Sequence, residues 1–109
     1  MLQTQESDCV QRDLSLALMR IHVLYHAVRE PVFGLGIIEE MGRHGYRLSA
    51  GTLYPILHGM EKDGLLRSRQ NQIKNHFRRV YRATPQGRRV LKAAKMTVQE
   101  LLGELLKES

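Results

Sequence analysis

Cysteine, tryptophan and long apolar runs are scarce or missing in this chain of 109 residues, which has one Cys and no Trp. The single cysteine, Cys9, excludes an internal disulfide and suits a reducing compartment. No apolar run approaches the ~18 residues of a membrane-spanning helix, and residues 1–13 lack the apolar core of a signal peptide. We therefore expect a cytoplasmic, single-domain protein that makes no contact with a membrane.

Acidic residues are absent between positions 64 and 99, a stretch that is rich in Lys and Arg. Residues 1–63 hold six Lys/Arg and eight Asp/Glu, a balance of −2, whereas residues 64–109 hold eleven and three, a balance of +8. A surface of one sign attracts a polyanion, and DNA is the common one. An anionic membrane would instead favour an amphipathic basic helix, but most of these residues lie in a strand-like stretch.

Candidate metal ligands and catalytic sets are few. His22 and His26 are four residues apart on a predicted helix, a spacing that suits a shared metal ion. Zinc needs three or four ligands, and no Cys or acid is placed to complete the set, so no metal site is predicted. The Gly34–Gly36 run is not a dinucleotide loop because no strand precedes it. With no evident Ser/His/Asp or Cys/His set, we expect neither an enzyme nor a bound cofactor.

Apolar spacing and cap residues predict four helices and one β-hairpin. Helical periodicity begins at Asp13, and Pro31 ends the first helix at or before Glu30. Thr84 caps the last helix, with Pro85 at its first position. The predicted elements are helices over 13–30, 34–41, 49–63 and 85–107, and strands over 65–70 and 79–83 joined by a polar turn over 71–76.

The third predicted helix has a buried stripe and a small, polar outer face. Ser49 is a good N-cap, and Gly64 is a natural residue to follow the last turn. Pro55 lies six residues past the cap and lacks an N–H, so we expect a second cap at Thr52 and a 3₁₀-like or kinked first turn. The inward stripe is Leu53, Ile56, Leu57 and Met60, and the outer face carries Gly51, Pro55, His58 and Lys62 with Tyr54 on its flank.

This order of elements is that of a winged helix-turn-helix domain, a mainly α fold with a small β-hairpin (α+β). Its third helix suits insertion into the major groove, and the basic hairpin suits flanking phosphates. The expected division is a flexible tail over 1–12, a DNA-binding domain over 13–84 and a dimerisation helix over 85–109. The last helix carries a heptad seam that pairs with a second copy or packs within its own monomer. The seam is Leu91, Ala94, Val98, Leu101 and Leu105, widened by Leu102 and Leu106.

Three runs resemble the PadR family of bacterial transcription regulators over roughly Leu14 to Leu106. They are Leu48–Leu57 (LSAGTLYPIL), Met60–Leu66 (MEKDGLL) and Arg78–Arg88 (RRVYRATPQGR). The family signature is a Ser-x-Gly-Thr-hydrophobic-Tyr-Pro-x-Leu run followed by Leu-Glu-x-x-Gly-Leu. One departure is the start of the second helix, where the family has His-Gly-Tyr and this chain has Phe33-Gly34-Leu35.

The resemblance implies a homodimeric repressor that binds an inverted-repeat operator and is released by a small-molecule effector in many relatives. The family positions that face DNA correspond to Ser49, Gly51, Thr52, Tyr54 and Pro55 in the helix and to Arg78 and Arg79 in the wing. Our own interpretation adds His58, Lys62 and, at the wing tip, Lys74. The alternative is a winged-helix module that binds protein or RNA and reads no promoter.

Overall fold

The computed structural model describes residues 9–107 and contains four helices and a small antiparallel sheet. This composition confirms the predicted α+β class, with the helix, helix, helix, hairpin, helix order intact. In chain order the elements are α1 (Cys9–Arg29), β1 (Val32–Phe33), α2 (Gly34–Arg43), α3 (Ala50–Lys62), β2 (Leu66–Ile73), β3 (His76–Ala83) and α4 (Pro85–Lys107).

The first helix starts earlier than its apolar stripe. α1 begins at Cys9, so residues 9–12, which we expected in the flexible tail, belong to the helix. Gln11 and Arg12 are good helix formers, and a helix that packing has already nucleated extends through such residues at little cost. Val10 is exposed, so this added turn contributes little to the core. The expected tail over residues 1–8 lies outside the described residues.

The two-residue strand β1 was not predicted. Val32 and Phe33 pair with Tyr81 and Val80 of β3, so the sheet has the order β1-β3-β2. Pro31 disfavours helical backbone at the residue before it, which ends α1 and starts an extended segment. Two residues are too few to show an alternating pattern, so only their pairing with β3 identifies the strand.

The hairpin is longer than predicted. β2 and β3 pair from Leu66↔Ala83 to Ile73↔His76, so the expected polar turn over 71–76 is wrong and the turn contains only Lys74 and Asn75. Lys74 has φ +58°, and a positive φ at the first turn residue belongs to the turns whose twist matches a hairpin. Backbone hydrogen bonds extend the pairing of the two strands to the tip of the hairpin, although Asn71, Gln72 and His76 are polar and show no apolar alternation that would predict a strand.

The third helix ends as predicted but starts differently. Ser49 caps it, and α3 begins directly at Ala50 with Pro55 inside, so the second cap expected at Thr52 is wrong. The carbonyl of Ser49 accepts from both Thr52 N (3.1 Å) and Leu53 N (2.9 Å), so the first turn mixes 3₁₀ and α bonds. Pro55 removes only the bond to the exposed Gly51 carbonyl, which the helix tolerates because water reaches that position.

The helix ends in a left-handed residue. Gly64 has φ +84°, its N–H donates to the Glu61 carbonyl (3.0 Å), and Leu65 N–H donates to the Met60 carbonyl (2.9 Å). These two bonds are a Schellman cap, which satisfies the last carbonyls and turns the chain into β2. Gly64 is therefore confirmed as the residue that follows the last turn.

One apolar core joins the helices to the inner face of the sheet. The buried stripe of α3 lies against side chains from α1 and α2, and Tyr81 of β3 is fully buried below them. Antiparallel partners share a sheet face, so Leu66, Ser68 and Tyr81 face the helices while Arg67 and Arg82 face outward. The core therefore fixes which side of the hairpin is basic and exposed.

Thr84 fastens the last helix to the end of α3. Its hydroxyl donates to the Gly64 carbonyl (2.6 Å) and accepts from Gly87 N–H (2.9 Å), and its own N–H donates to the Leu65 carbonyl (3.1 Å). The predicted cap and the position of Pro85 at the start of α4 are thus confirmed. Beyond Leu91 the helix leaves the core, and its last three turns carry exposed leucines. Between residues 9 and 107 no helix combines the length and the apolarity that crossing a bilayer requires.

Candidate nucleic-acid interface

The outer face of α3 is open. Leu53, Leu57 and Met60 point into the core, whereas the opposite side of the helix is exposed along its whole length. No ion pair among residues 9–107 involves Lys62, which leaves its charge for a partner at the end of this face. The exposed positions are Ser49, Gly51, Thr52, Pro55, His58 and Lys62.

Two hydroxyls meet at the start of α3. Ser49 Oγ accepts from Thr52 N–H (3.3 Å) and donates to Thr52 Oγ1 (3.3 Å). Both side chains remain exposed, and the first backbone N–H groups of the helix point the same way. The start of α3 therefore offers an exposed hydroxyl and the positive end of the helix dipole to an anion placed at the N-terminus of the helix.

Tyr54 occupies an intermediate position. Its ring is half-buried against the core, and its hydroxyl lies over Gly34 at the start of α2, where a Cβ atom would overlap it. The ring centroid lies 6.4 Å from that of His58. Tyr54 thus packs α3 onto α2 and presents only part of its ring beside the outer face.

The two wing arginines face opposite sides of the sheet because neighbouring strand residues alternate. Arg79 is on the side of α3, where its guanidinium donates to Ser68 Oγ (3.1 Å). The Ser68 hydroxyl also contacts Glu61 Oε1 (2.9 Å), so the arginine is linked to α3 through one hydroxyl. Arg78 is on the outer side, with its guanidinium 4.2 Å from the centre of the Phe33 ring. Neither arginine forms an ion pair with a described carboxylate, and Lys74 is exposed at the tip.

Three further arginines join Arg78 on the outer face of the sheet. Arg67 and Arg82 are direct cross-strand partners, and Arg69 pairs with Val80 two residues further along the hairpin. Their aliphatic stems cover Val80, which is 7% exposed, while the charges stay in solvent. These residues belong to the acid-free basic stretch, and the sequence alone predicted no separate role for them. The alternation of Arg67, Arg69 and Arg82 with core residues would have predicted that all three lie on the exposed face of the hairpin.

A histidine cluster lies at the junction of α1 and α2. His22 from α1 stacks on His44, with ring centroids 5.2 Å apart, and His26 comes within 3.8 Å of Glu40. Glu40 also contacts Arg43 (2.5 Å) and His44 (3.2 Å). Within residues 9–107 no three His, Cys, Asp or Glu side chains are arranged to hold a metal ion.

Burial and neighbouring charge shift two pKa values in this cluster. Burial lowers the pKa of His22 below its ordinary value, the charges of His44 and His26 lower it further, and Glu40 partly opposes them. For Glu40, burial acts to raise the pKa, but the hydrogen bond from His44 and the charges of Arg43 and His26 outweigh it and hold the pKa low. The cluster therefore favours a neutral His22 beside an ionised Glu40.

The predicted seam of α4 is split between the core and the solvent. Leu91 is only 8% exposed and packs with the core of its own chain, so its assignment to a dimer interface is corrected here. Ala94 is half-buried. The remaining seam residues are open, with Leu101 at 54% and Leu105 at 60% exposure, and Val98 and Leu102 beside them.

The three-helix core, the capped third helix and the basic hairpin place the chain in the winged helix-turn-helix class. The chain belongs to the PadR-like family of transcriptional regulators, whose family model matches residues 23–93. Membership of this family makes the protein a regulator of transcription and not an enzyme.

Named relatives agree with this assignment. The chain is 47% identical over 95 residues to the transcriptional regulator Rv3488 of Mycobacterium tuberculosis, covering 87% of this chain and 89% of the relative. A PadR family regulator from Eggerthella lenta is 30% identical with a TM-score of 0.72, covering 92% of this chain and 95% of that one. A PadR-like transcription factor from Bacteroides fragilis shares the fold with a TM-score of 0.80 at 21% identity, covering 94% of this chain and 100% of that one.

Proposed function

We propose that the protein is a cytoplasmic homodimeric repressor that binds an inverted-repeat operator through α3 and the wing, and that a small-molecule effector releases it. The observation that carries the proposal is the open outer face of α3 beside a hairpin whose arginines have no carboxylate partner among the described residues. A cationic surface of this kind beside an exposed helix suits phosphates on either side of a major groove.

The residues of α3 divide into those that position the protein and those that read bases. Ser49, Thr52 and the backbone at Gly51 would contact phosphate, because they present N–H and O–H groups at the helix start. His58 and Lys62 face the groove and would reach base edges or the far strand. Pro55 holds no donor and would pack its ring on the groove wall, while Tyr54 would contribute its exposed edge.

Arg79 would contact phosphate beside α3, with Lys74 and Arg78 extending the contact toward the tip. The hydrogen bond to Ser68 pre-orders the Arg79 guanidinium on the side of α3, which lowers the conformational entropy lost on binding. The stacking of Arg78 on Phe33 does the same for the outer side.

Fluorescence anisotropy with the DNA upstream of its own gene tests the proposal, with a random duplex of equal length as comparison. We expect tighter binding to the upstream DNA. Arg79→Ala should weaken both duplexes alike and reduce the salt slope by about one. Arg20→Ala on α1 removes the same charge from an exposed site outside the interface and serves as the control. An upstream fragment that binds no better than random DNA would instead indicate a winged-helix module for protein or RNA.

The dimer rests on α4, whose apolar seam is exposed after Leu91. Covering such a face with a second copy removes it from water, and a two-fold dimer would place the two α3 helices about 34 Å apart, one turn of DNA. Sedimentation should give a dimer at tens of micromolar. Leu101→Asp should shift it to monomer, and Met96→Asp, an exposed α4 residue off the seam, should not. A monomeric wild-type protein would contradict the proposal.

A further inference from the structure

The outer face of the sheet carries a cluster of arginines on the side turned away from the helices. Arg67, Arg69 and Arg82 are exposed there around Val80, and we call this cluster the arginine face. A depression of about 180 Å³ lies among these residues. Of the residues proposed to contact an operator, Arg78 is the one strand residue that shares this side of the sheet.

The guanidinium groups of the arginine face have no partner within residues 9–107. They take part in none of the hydrogen bonds or ion pairs of these residues, and the chain has no acid between positions 64 and 99. Glu61 borders a neighbouring depression with Arg67, but its carboxylate accepts hydrogen bonds from the N–H and the hydroxyl of Ser68. The three positive charges are therefore left for an anion from outside these residues.

Two of these arginines repel each other across the hairpin. Arg67 and Arg82 lie directly opposite one another, and like charges at such positions destabilise a sheet. A guanidinium is weakly hydrated and presents a planar fork that binds two phosphate oxygens at once. The pair is thus unfavourable in the isolated chain and becomes favourable when phosphates neutralise it.

The arginine face is too far from the wing tip to share a straight duplex with it. Arg67 precedes Lys74 by seven residues, which is about 20 Å along an extended strand. Its side chain also points away from the helices, whereas α3 packs on the inner side of the sheet. A duplex seated on α3 and the tip therefore leaves the arginine face uncovered.

Duplex DNA suits this face better than an acidic protein does. Arg78 continues the cluster toward the wing tip, so the positive surface joins the one proposed for the operator. Protein interfaces have an apolar centre, but the apolar side chain of the arginine face, Val80, is only 7% exposed. A surface that offers charges and little else fits a phosphate backbone.

We propose that the arginine face binds the phosphate backbone of a second DNA duplex, independently of sequence, while α3 holds the first. Arg67 and Arg82 contact its phosphates together, and Arg69 extends the contact along β2. Contacts of this kind carry no sequence information and weaken steeply with salt. The protein thereby brings two DNA segments together. The assignment of the first duplex to α3 rests on the proposed function, whereas the charge of the arginine face does not.

Surface plasmon resonance of the full chain on immobilised upstream DNA tests the proposal. Once the protein has saturated that DNA at about 50 mM salt, a short random duplex should bind to the loaded surface and be lost by about 200 mM salt. Arg67→Thr with Arg82→Thr should leave the first loading unchanged and lower capture of the random duplex at least about tenfold, because two phosphate contacts are lost. Threonines pair well across strands, so thermal melts should show that this variant folds.

Arg12→Ala with Arg20→Ala is the matched control. It removes the same charge from exposed positions of α1, far in sequence from the sheet, and should change capture of the random duplex less than about twofold. Equal capture by the two double variants would overturn the proposal. So would loaded wild-type protein that captures polyglutamate but no random duplex, since the face would then belong to an acidic protein.

A second measurement needs no operator. Sedimentation of the chain with random duplex in excess gives the number of duplexes bound per chain, which should be lower for Arg67→Thr with Arg82→Thr than for wild type. Equal numbers, or a variant that only loads less well on the upstream DNA, would overturn the second duplex. A protein that binds upstream DNA no better than random DNA, yet binds fewer duplexes in the variant, would support the arginine face and refute only the operator proposal.

Discussion

Replacing Gly87 by alanine should separate the last helix from the end of α3. A Cβ atom at Gly87 would lie far closer than 3.0 Å to the Leu65 carbonyl oxygen, and 3.3 Å from Leu24 Cδ2. The carbonyl belongs to the backbone and cannot swing away as the end of a flexible side chain would. The start of α4 must then move by roughly an ångström to restore van der Waals separation.

That movement acts on the three hydrogen bonds of Thr84. The N-cap bond to Gly87 is worth about 0.5–2 kcal/mol, and the bonds to the Gly64 and Leu65 carbonyls about 1 kcal/mol each. Losing most of them gives a destabilisation of roughly 2–4 kcal/mol. For a domain of this size we expect the melting temperature to fall by about 10–20 °C.

Urea unfolding followed by far-ultraviolet circular dichroism, at one fixed protein concentration, measures the change. Gly59→Ala is the matched control, because a Cβ there meets nothing within 4 Å and the residue is inside a helix. It should stabilise by about 0.5–1 kcal/mol. A Gly87→Ala protein as stable as wild type would refute the close approach on which this reasoning depends.

Three other predictions concern side chains inside or beside the core. Burial and the charges of two neighbouring histidines lower the pKa of His22 in the folded protein. As the pH falls, His22 is therefore protonated in the unfolded chain before it is protonated in the folded one. The free energy of unfolding should be constant above about pH 6.5 and decrease below it. The slope should stay under about 1.4 kcal/mol per pH unit, because the ring is partly exposed, and His22→Gln should reduce that slope. Tyr81→Phe removes a buried hydroxyl that has no hydrogen-bond partner among residues 9–107, so the free energy of unfolding in urea should hold or rise by about 1 kcal/mol. A clear loss of stability would contradict this prediction. Arg67→Thr removes a like charge directly opposite Arg82, so the melting temperature should rise at low salt and the gain should shrink at high salt.

Much of the helical part followed from local patterns. The stripe of α3, the left-handed Gly64 and the Thr84 cap with Pro85 after it each depend on residues within one or two turns of one another. Local chemistry of this kind is readable from one chain because the partners are close in sequence. The wrong second cap at Thr52 shows the limit, since the helix tolerated Pro55 at an exposed position instead of restarting.

The parts that could not be predicted depend on distant pairing. β1 exists only because Val32 and Phe33 meet β3, nearly fifty residues later in the chain. His44, in the turn that follows α2, stacks on His22 of α1, and neither residue has a local signal for this contact. The opposite orientation of Arg78 and Arg79 could have been predicted from the sequence, because neighbouring residues of a strand face opposite sides of the sheet.

The Tyr54 hydroxyl packs directly over Gly34, so residue 34 limits where the tyrosine ring can lie. The overlapping atoms are the far end of a side chain, so an alanine at 34 would displace the tyrosine ring and leave both backbones in place. A one-carbon change on α2 would thus displace the phenol of Tyr54, whose ring centroid lies 6.4 Å from that of His58. Through this pair of positions, evolution can adjust which groups the helix displays without altering the helix itself.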